Sequence, residues 1–259
     1  MGRVIVITGT SSGIGAELKK RFAAAGDTVI GLCRRPDEGD IRCDVSDEAQ
    51  VKAAFDEIAA RHGCIDMLIN NAGLGLSGAT ELLPADDVRR VMDVDFYGTY
   101  RCCRAALPHM RQARAGLILN LGSVAGSIPI PFQAFYSAAK AAIASVTMAL
   151  QNELRPFGVH AVALLPGDVK TGFTAARQKS AAGGEVYAAL ARSVAGMERD
   201  EQNGMPADVL GRRIVAIAQK RHPKALYSCG LQYQFFLLLA RLLPVRTLNW
   251  LVGLLYAKA

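Results

Sequence analysis

The sequence predicts an α/β fold in one domain, a parallel sheet with helices on both faces. Three observations carry that expectation. Short apolar runs recur without polar alternation, as strands buried on both faces require. Each run is followed by a segment of helical periodicity, the order of a parallel sheet with helical crossovers. A glycine-rich turn, from Gly9 to Gly15, joins the first run to the first helical segment. No internal repeat or low-complexity linker divides the chain.

Residues 4–7 form the first strand and 13–26 the first helix, with Leu18, Phe22 and Ala25 on one face. Residues 28–33 are the second strand. Ser46 is the expected N-cap of a helix reaching His62. Residues 65–69 are the third strand. Pro84 or Asp86 opens a long helical region that Pro108 is expected to interrupt. Residues 116–121 and 159–165 are strands on either side of an Ala-rich helix, 133–157. Residues 171–204 give no clean strand signal. Pro206 opens a helix to about Lys220, and 225–228 is a last short strand.

Composition excludes several classes. At 51% hydrophobic and 20% charged, the chain is too apolar to be disordered. Six cysteines in 259 residues are too sparse for a disulfide framework. None forms a CxxC pair and no histidine cluster accompanies them, so no metal site is expected. The N-terminus runs straight into a strand pattern, unlike a signal peptide. The cysteines read as small buried apolar residues in a reducing, cytoplasmic setting. The net charge of +7 is unevenly placed: eight Lys and Arg and no acid follow Asp208. No nucleic-acid motif accompanies that charge, so nucleic acid is not an expected partner.

In Thr8-Gly9-Thr10-Ser11-Ser12-Gly13-Ile14-Gly15, missing Cβ atoms let the backbone approach a pyrophosphate at a helix N-terminus. The strand–turn–helix context gives the motif its weight. Its GxxxGxG spacing, with Asn70-Asn71-Ala72-Gly73 after the third strand, resembles the classical short-chain dehydrogenase/reductase family. The resemblance runs to about Ser228 and implies a doubly wound Rossmann sheet of about seven strands. It makes residues 1–230 a nucleotide-binding catalytic domain with a substrate lid at about 172–205. Residues 231–259 form an apolar, basic extension of that domain. A homodimer or homotetramer is implied too.

Gly9, Ser11, Ser12, Gly13, Ile14 and Gly15 then become cofactor-binding candidates. The second strand ends in Cys33-Arg34-Arg35, with no carboxylate until Asp37. An acid there would accept from a ribose 2′-OH and repel a 2′-phosphate, whereas a guanidinium binds the phosphate. The expected cofactor is therefore NADP(H), held by Arg34 with help from Arg35. The resemblance places Asp44 and Val45 at the adenine, and Asn71, Ala72 and Gly73 along the adenosine and nicotinamide. It sets Val169 and Thr171, after Pro166-Gly167, beside the carboxamide.

Ser123 follows the fourth strand, Tyr136 comes thirteen residues later, and Lys140 shares a helix face with it at i+4. A free Tyr, with a pKa near 10, is a poor base at neutral pH, and a nearby ammonium lowers that value. The resemblance makes Tyr136 the proton donor to a carbonyl, Ser123 the group that hydrogen-bonds the same oxygen, and Lys140 a contact to the nicotinamide ribose. One position departs from the family. Val94-Asp95-Phe96-Tyr97-Gly98 has Asp95 where Asn is usual, an Asn whose main-chain carbonyl is thought to reach Lys140 through a water. Asp95 is expected to add negative charge near the proton relay and to shift its pH dependence.

Phe173, Val186, Tyr187, Leu190, Val194 and Met197 are spaced as an apolar face over the lid, and residues 128–132 carry no charge. Both suggest a lipophilic ketone or secondary alcohol of steroid, retinoid, acyl or polyketide type. Residues 231–257 read as two short helices meeting at Pro244, too broken to span a membrane. With arginines among Phe, Leu and Trp they suit peripheral contact with an anionic lipid surface. Covering the pocket, or packing in an oligomer, are the other readings. This ending is similar to the steroid- and retinol-type branch. Two other functions stay open: a non-catalytic NADP-binding or membrane-associated scaffold, and an isomerase-like relative with transient hydride transfer.

Overall fold

A computed structural model describes residues 2–257. Seven parallel strands form the main sheet: β1 (Val4–Thr8), β2 (Thr28–Cys33), β3 (Ile41–Arg42), β4 (Met67–Asn70), β5 (Gly116–Leu121), β6 (Val159–Pro166) and β7 (Leu226–Cys229). Their spatial order is β7-β6-β5-β4-β1-β2-β3. The chain thus winds outward from β1 to one edge, then returns to wind from β4 to the other. The reversal between β1 and β4 opens a crevice at the carboxyl ends of the strands.

Strand periodicity divides the core. Val4 and Val6 face a cluster containing Phe55, Ile58, Cys102, Ala106 and Met110. Ile5 and Ile7 face the opposite cluster, which contains Leu18, Phe22, Leu210 and Ile214. With partners on both sides every residue of β1 is buried, which explains the unbroken apolar run.

The helices are α1 (Gly13–Ala24), α2 (Glu48–His62), α3 (Ala85–Met92), α4 (Gly98–Ala113), α5 (Ala134–Leu154), α6 (Phe173–Ala176), α7 (Leu190–Gln202), α8 (Ala207–Ala218), α9 (Leu231–Leu242) and α10 (Val245–Tyr256). Three expectations need correction. Asp47, not Ser46, caps α2: its Oδ1 accepts from the amides of Ala49 and Gln50, while the Ser46 hydroxyl donates to Asp44. Pro108 sits inside α4 without ending it. The interruption lies earlier, in a π-helical turn at Asp93–Tyr97 that joins α3 to α4 and carries Asp95. The segment without strand signal contains the short helix α6, one two-residue strand and helix α7. Gln178–Lys179 pairs with Leu76–Ser77, and Met205–Pro206, just past the segment, pairs with Val169–Lys170. Pairings this short leave no periodicity to read.

Pro244 separates α9 from α10, as the sequence suggests. No helix among the described residues is long and apolar enough to cross a membrane. All six cysteines are free thiols, and only Cys64 is more than slightly exposed.

Candidate active site

One cavity of about 690 Å³ lies along the carboxyl ends of the strands. Every residue expected at the site borders it except Gly15 and Asp95. Gly15 works from behind: a Cβ there would lie 2.2 Å from the Gly9 carbonyl oxygen, so its absence lets α1 close onto the turn. Gly9 and Gly13 hold positive φ angles of 73° and 59°, which glycine adopts freely. Ser12 makes no side-chain cap, leaving the first amides of α1 unclaimed.

Other residues fix this turn, and sequence reasoning missed them. The Thr8 hydroxyl accepts from the amides of Asn71 and Ala72, each at 3.0 Å. The Asn71 side chain returns a bond to the Thr8 carbonyl at 3.0 Å. Asp40 accepts from the Gly31 amide and the Thr10 hydroxyl, and pairs with Lys19 at 2.7 Å. Asp40 belongs to no motif, and Thr8, though it opens the glycine-rich stretch, acts through backbone groups distant in sequence. Arg34 and Arg35 border the same end of the cavity and make no ion pair among the described residues. Thr171 faces Gly13 across it.

Tyr136 and Lys140 project from the first turns of α5, and Ser123 stands at the end of β5. Lys140 Nζ lies 5.5 Å from the Tyr136 ring centre and donates to the Leu121 carbonyl at 3.1 Å. Its second partner is Asp95, whose Oδ2 lies 3.1 Å away. The pair is 6% and 0% exposed. Asp95 Oδ1 accepts from the Leu74 amide at 2.7 Å, and its main-chain carbonyl accepts from the Thr99 hydroxyl at 2.7 Å. So the side chain of Asp95 meets the lysine directly, a contact the sequence reading did not foresee. Gly73 makes room for it: a Cβ there would come within 3.2 Å of Asp95 Oδ2 and 3.3 Å of Lys140 Nζ.

Burial pushes the Tyr136 phenol above its ordinary value; Lys140 and a hydrogen bond from Ser123 pull it down, while Asp95 and Glu201 push it up. Burial works against the Lys140 ammonium, yet Asp95 and Tyr136 outweigh it and raise that group. Burial likewise raises Asp95. With an ammonium on one oxygen and an amide donor on the other, we take this carboxylate as ionised.

Beyond Tyr136 the cavity continues between Ile128, Ile130, Phe173 and Met197 to the inner faces of α9 and α10. The expected apolar lid face is only partly realised. Phe173 and Met197 line the cavity, but Val186 is exposed outside it and the Tyr187 hydroxyl donates to Glu81. The reason is that α7 begins only at Leu190. The C-terminal helices are part of the wall. The Tyr233 ring lies over Gly167, where a Cβ would come within 2.1 Å of it, and the Tyr233 hydroxyl donates to Asp168. Asp168 and Tyr233 had no signal in the sequence, since their contact joins β6 to α9.

Residues 3–182 match the family model described as short chain dehydrogenase. The chain belongs to the short-chain dehydrogenase family. Among curated relatives, the 3-ketodihydrosphingosine reductase of Bacteroides thetaiotaomicron is 39% identical over 229 residues, 85% of each chain. The 3beta-hydroxysteroid dehydrogenase 1 of Eggerthella lenta is 32% identical over 187 residues, 66% of this chain and 72% of that one. A short-chain dehydrogenase from Streptomyces avermitilis superposes with a TM-score of 0.82 at 27% identity, covering 92% of this chain and 91% of that one. A short-chain dehydrogenase is an oxidoreductase that uses a nicotinamide cofactor, and the seven-stranded doubly wound sheet is that family's fold.

Proposed function

We propose that this short-chain dehydrogenase is an NADP(H)-dependent oxidoreductase that interconverts a lipophilic ketone and its secondary alcohol. The observation that carries this reading is one cavity with two different ends. Tyr136, Lys140 and Ser123 meet between a glycine-lined turn and an apolar chamber. The named substrates of the Bacteroides and Eggerthella relatives, a long-chain ketone and a steroid, belong to the same lipophilic class.

The glycine-lined end fits a dinucleotide. Gly9 and Gly13 leave backbone bare, α1 offers uncapped amides, and the unpaired Arg34 and Arg35 stand where a 2′-phosphate needs cations. Asp44, Val45, Asn71, Ala72, Val169 and Thr171 complete its walls. When bound, a reduced nicotinamide supplies the hydride. The chain's own residues handle the proton and the charge. Tyr136 gives its proton to the substrate oxygen, and Ser123 donates a hydrogen bond to the same atom. Lys140 stabilises the phenolate left behind, and Asp95 holds Lys140 in place.

The test is NADPH consumption by the purified protein over a panel of lipophilic ketones, with Tyr136→Phe alongside. Turnover lost in the variant is expected. Tight NADPH binding without turnover on any ketone, or turnover equal in the variant, would overturn the reading.

We further propose that α9 and α10 rest on an anionic lipid surface. Leu231, Val245 and Leu255 are 83%, 82% and 76% exposed, and Trp250 is 61% exposed. Arg241 and Arg246 lie among them, and no acid follows Asp208. Vesicles with one-third phosphatidylglycerol should carry the protein down on sedimentation, neutral vesicles far less, and added salt should release it. Equal failure with both vesicles would refute the proposal.

A further inference from the structure

The apolar end of the cavity contains charge. Asp168, just after β6, and Asp200 and Glu201, in the last turn of α7, all line it. Each has a partner. Tyr233 donates to Asp168, Tyr256 hydrogen-bonds Asp200, and Glu201 Oε1 pairs with the fully buried Arg177. Arg177 pairs with Glu201, whereas Asp168 and Asp200 hydrogen-bond phenols. Arg192 and Arg199 line a second depression with Asp200, Leu255 and Tyr256, three residues that also border the cavity. Glu201 Oε2 is buried and has no hydrogen-bond partner.

The charges act on one another and on the reacting centre. Burial raises Asp168, and the negative charges of Glu201 and Asp200 raise it further against the pull of Tyr233 and Arg177. Glu201 also acts on Tyr136. Asp200 stays exposed, but Asp168 is half-buried and Glu201 Oε2 is shielded from water, and these two lose hydration that cavity-lining side chains such as Leu239 and Val252 cannot replace. An ammonium would replace it. The place for that ammonium is beside the carbonyl presented to Tyr136, with the rest of the molecule against α9 and α10.

We propose that the substrate is a single-chain amino ketone of the sphingoid-base kind. Its ammonium is bound by Asp168 and Glu201, and its alkyl chain by the C-terminal helices. This rests on the reductase reading above and specifies the ligand. The carbonyl carbon gains a hydride from the dihydronicotinamide and the oxygen gains a proton from Tyr136. The ketone becomes a secondary alcohol, the nicotinamide is oxidised, and the carbon–nitrogen bond is untouched.

The experiment compares three ketones of equal chain length with NADPH and the full chain: a 2-amino-3-ketone, its N-acetyl derivative, and the analogue with hydrogen in place of nitrogen. The amine should show at least about tenfold higher kcat/KM, mostly through KM, as a charge-assisted contact implies. That preference should collapse in Asp168→Asn and in Glu201→Gln. Calorimetry with the saturated amino alcohol and NADP⁺ should show the same loss of affinity, and thermal melts establish that the variants are folded. Equal use of the three ketones, or an amine preference kept in folded variants, overturns the proposal. Either result leaves the reductase reading standing if Tyr136→Phe abolishes the turnover. Absence of turnover on every ketone removes both.

Discussion

Asp95 Oδ2 lies 3.1 Å from Lys140 Nζ, and both groups are almost wholly shielded from water. The carboxylate raises Lys140 and also raises Tyr136, so it opposes the pull of the lysine on the phenol. In the proposed mechanism reduction needs the protonated phenol, so activity should be lost as pH rises through its pKa. Asp95→Asn removes a charge that keeps this proton on. The alkaline limb of the reductase pH–rate profile should therefore move to lower pH, with kcat affected more than KM. An unmoved limb would show that Asp95 is structural only. Asp95→Leu strands the buried ammonium and should cost about 3–5 kcal/mol in urea unfolding.

The sheet and the floor of the site were legible in the sequence because they rest on local signals. Buried parallel strands write continuous apolar runs, the glycine turn writes its own motif, and Tyr136 and Lys140 share one helix turn. The remainder depends on contacts between distant segments. Asp40 holds the glycine turn from a loop with no motif, and Tyr233 meets Asp168 across 65 residues. The direct Asp95–Lys140 contact depends on a π-helical turn, which hydrophobic periodicity does not reveal.

The unpaired guanidinium groups beyond β2 give a cofactor prediction. Arg34→Ala should weaken NADPH binding by roughly 10- to 100-fold, the loss of one or two charge-assisted bonds, while NADH binding changes little. Fluorescence titration with both nucleotides measures this. Equal weakening of the two would show that Arg34 does not read the 2′-phosphate.

Gly15 should tolerate no side chain. In Gly15→Ala the new Cβ would press on the Gly9 oxygen at 2.2 Å and the Asn71 side chain at 2.7 Å. Overpacking of this kind costs about 1–3 kcal/mol, and the displaced turn should lose most of its dinucleotide affinity. Gly253→Ala in α10, with nothing within 4 Å of the new Cβ, is the matched control and should be neutral or slightly stabilising. Unfolding curves and nucleotide titration of both variants decide the matter.

Arg3 and Asp27 predict an acid-sensitive clasp. The Arg3 guanidinium donates to both oxygens of Asp27 and to the Ala218 carbonyl, tying the starts of β1 and β2 to the end of α8. The Arg3 hydrogen bond holds Asp27 below the usual carboxylate range despite partial burial. Its stabilisation is complete above the unfolded value near 3.8 and fades as pH falls through the lower folded value. Asp27→Asn should thus cost about 1–2 kcal/mol at neutral pH, and the gap from the native protein should narrow in acid. A gap that stays constant from pH 7 to pH 3 would contradict this.

The Tyr233–Asp168 contact also bears on the order in which the molecule becomes competent during translation. The groups around the glycine turn emerge from the ribosome first, up to Thr171, whereas the ring that covers Gly167 follows much later. A nascent chain halted before α9 would have the glycine turn but no ring over Gly167. The apolar chamber would then have no far wall. Cofactor retention should accordingly precede turnover, which waits on the C-terminal helices.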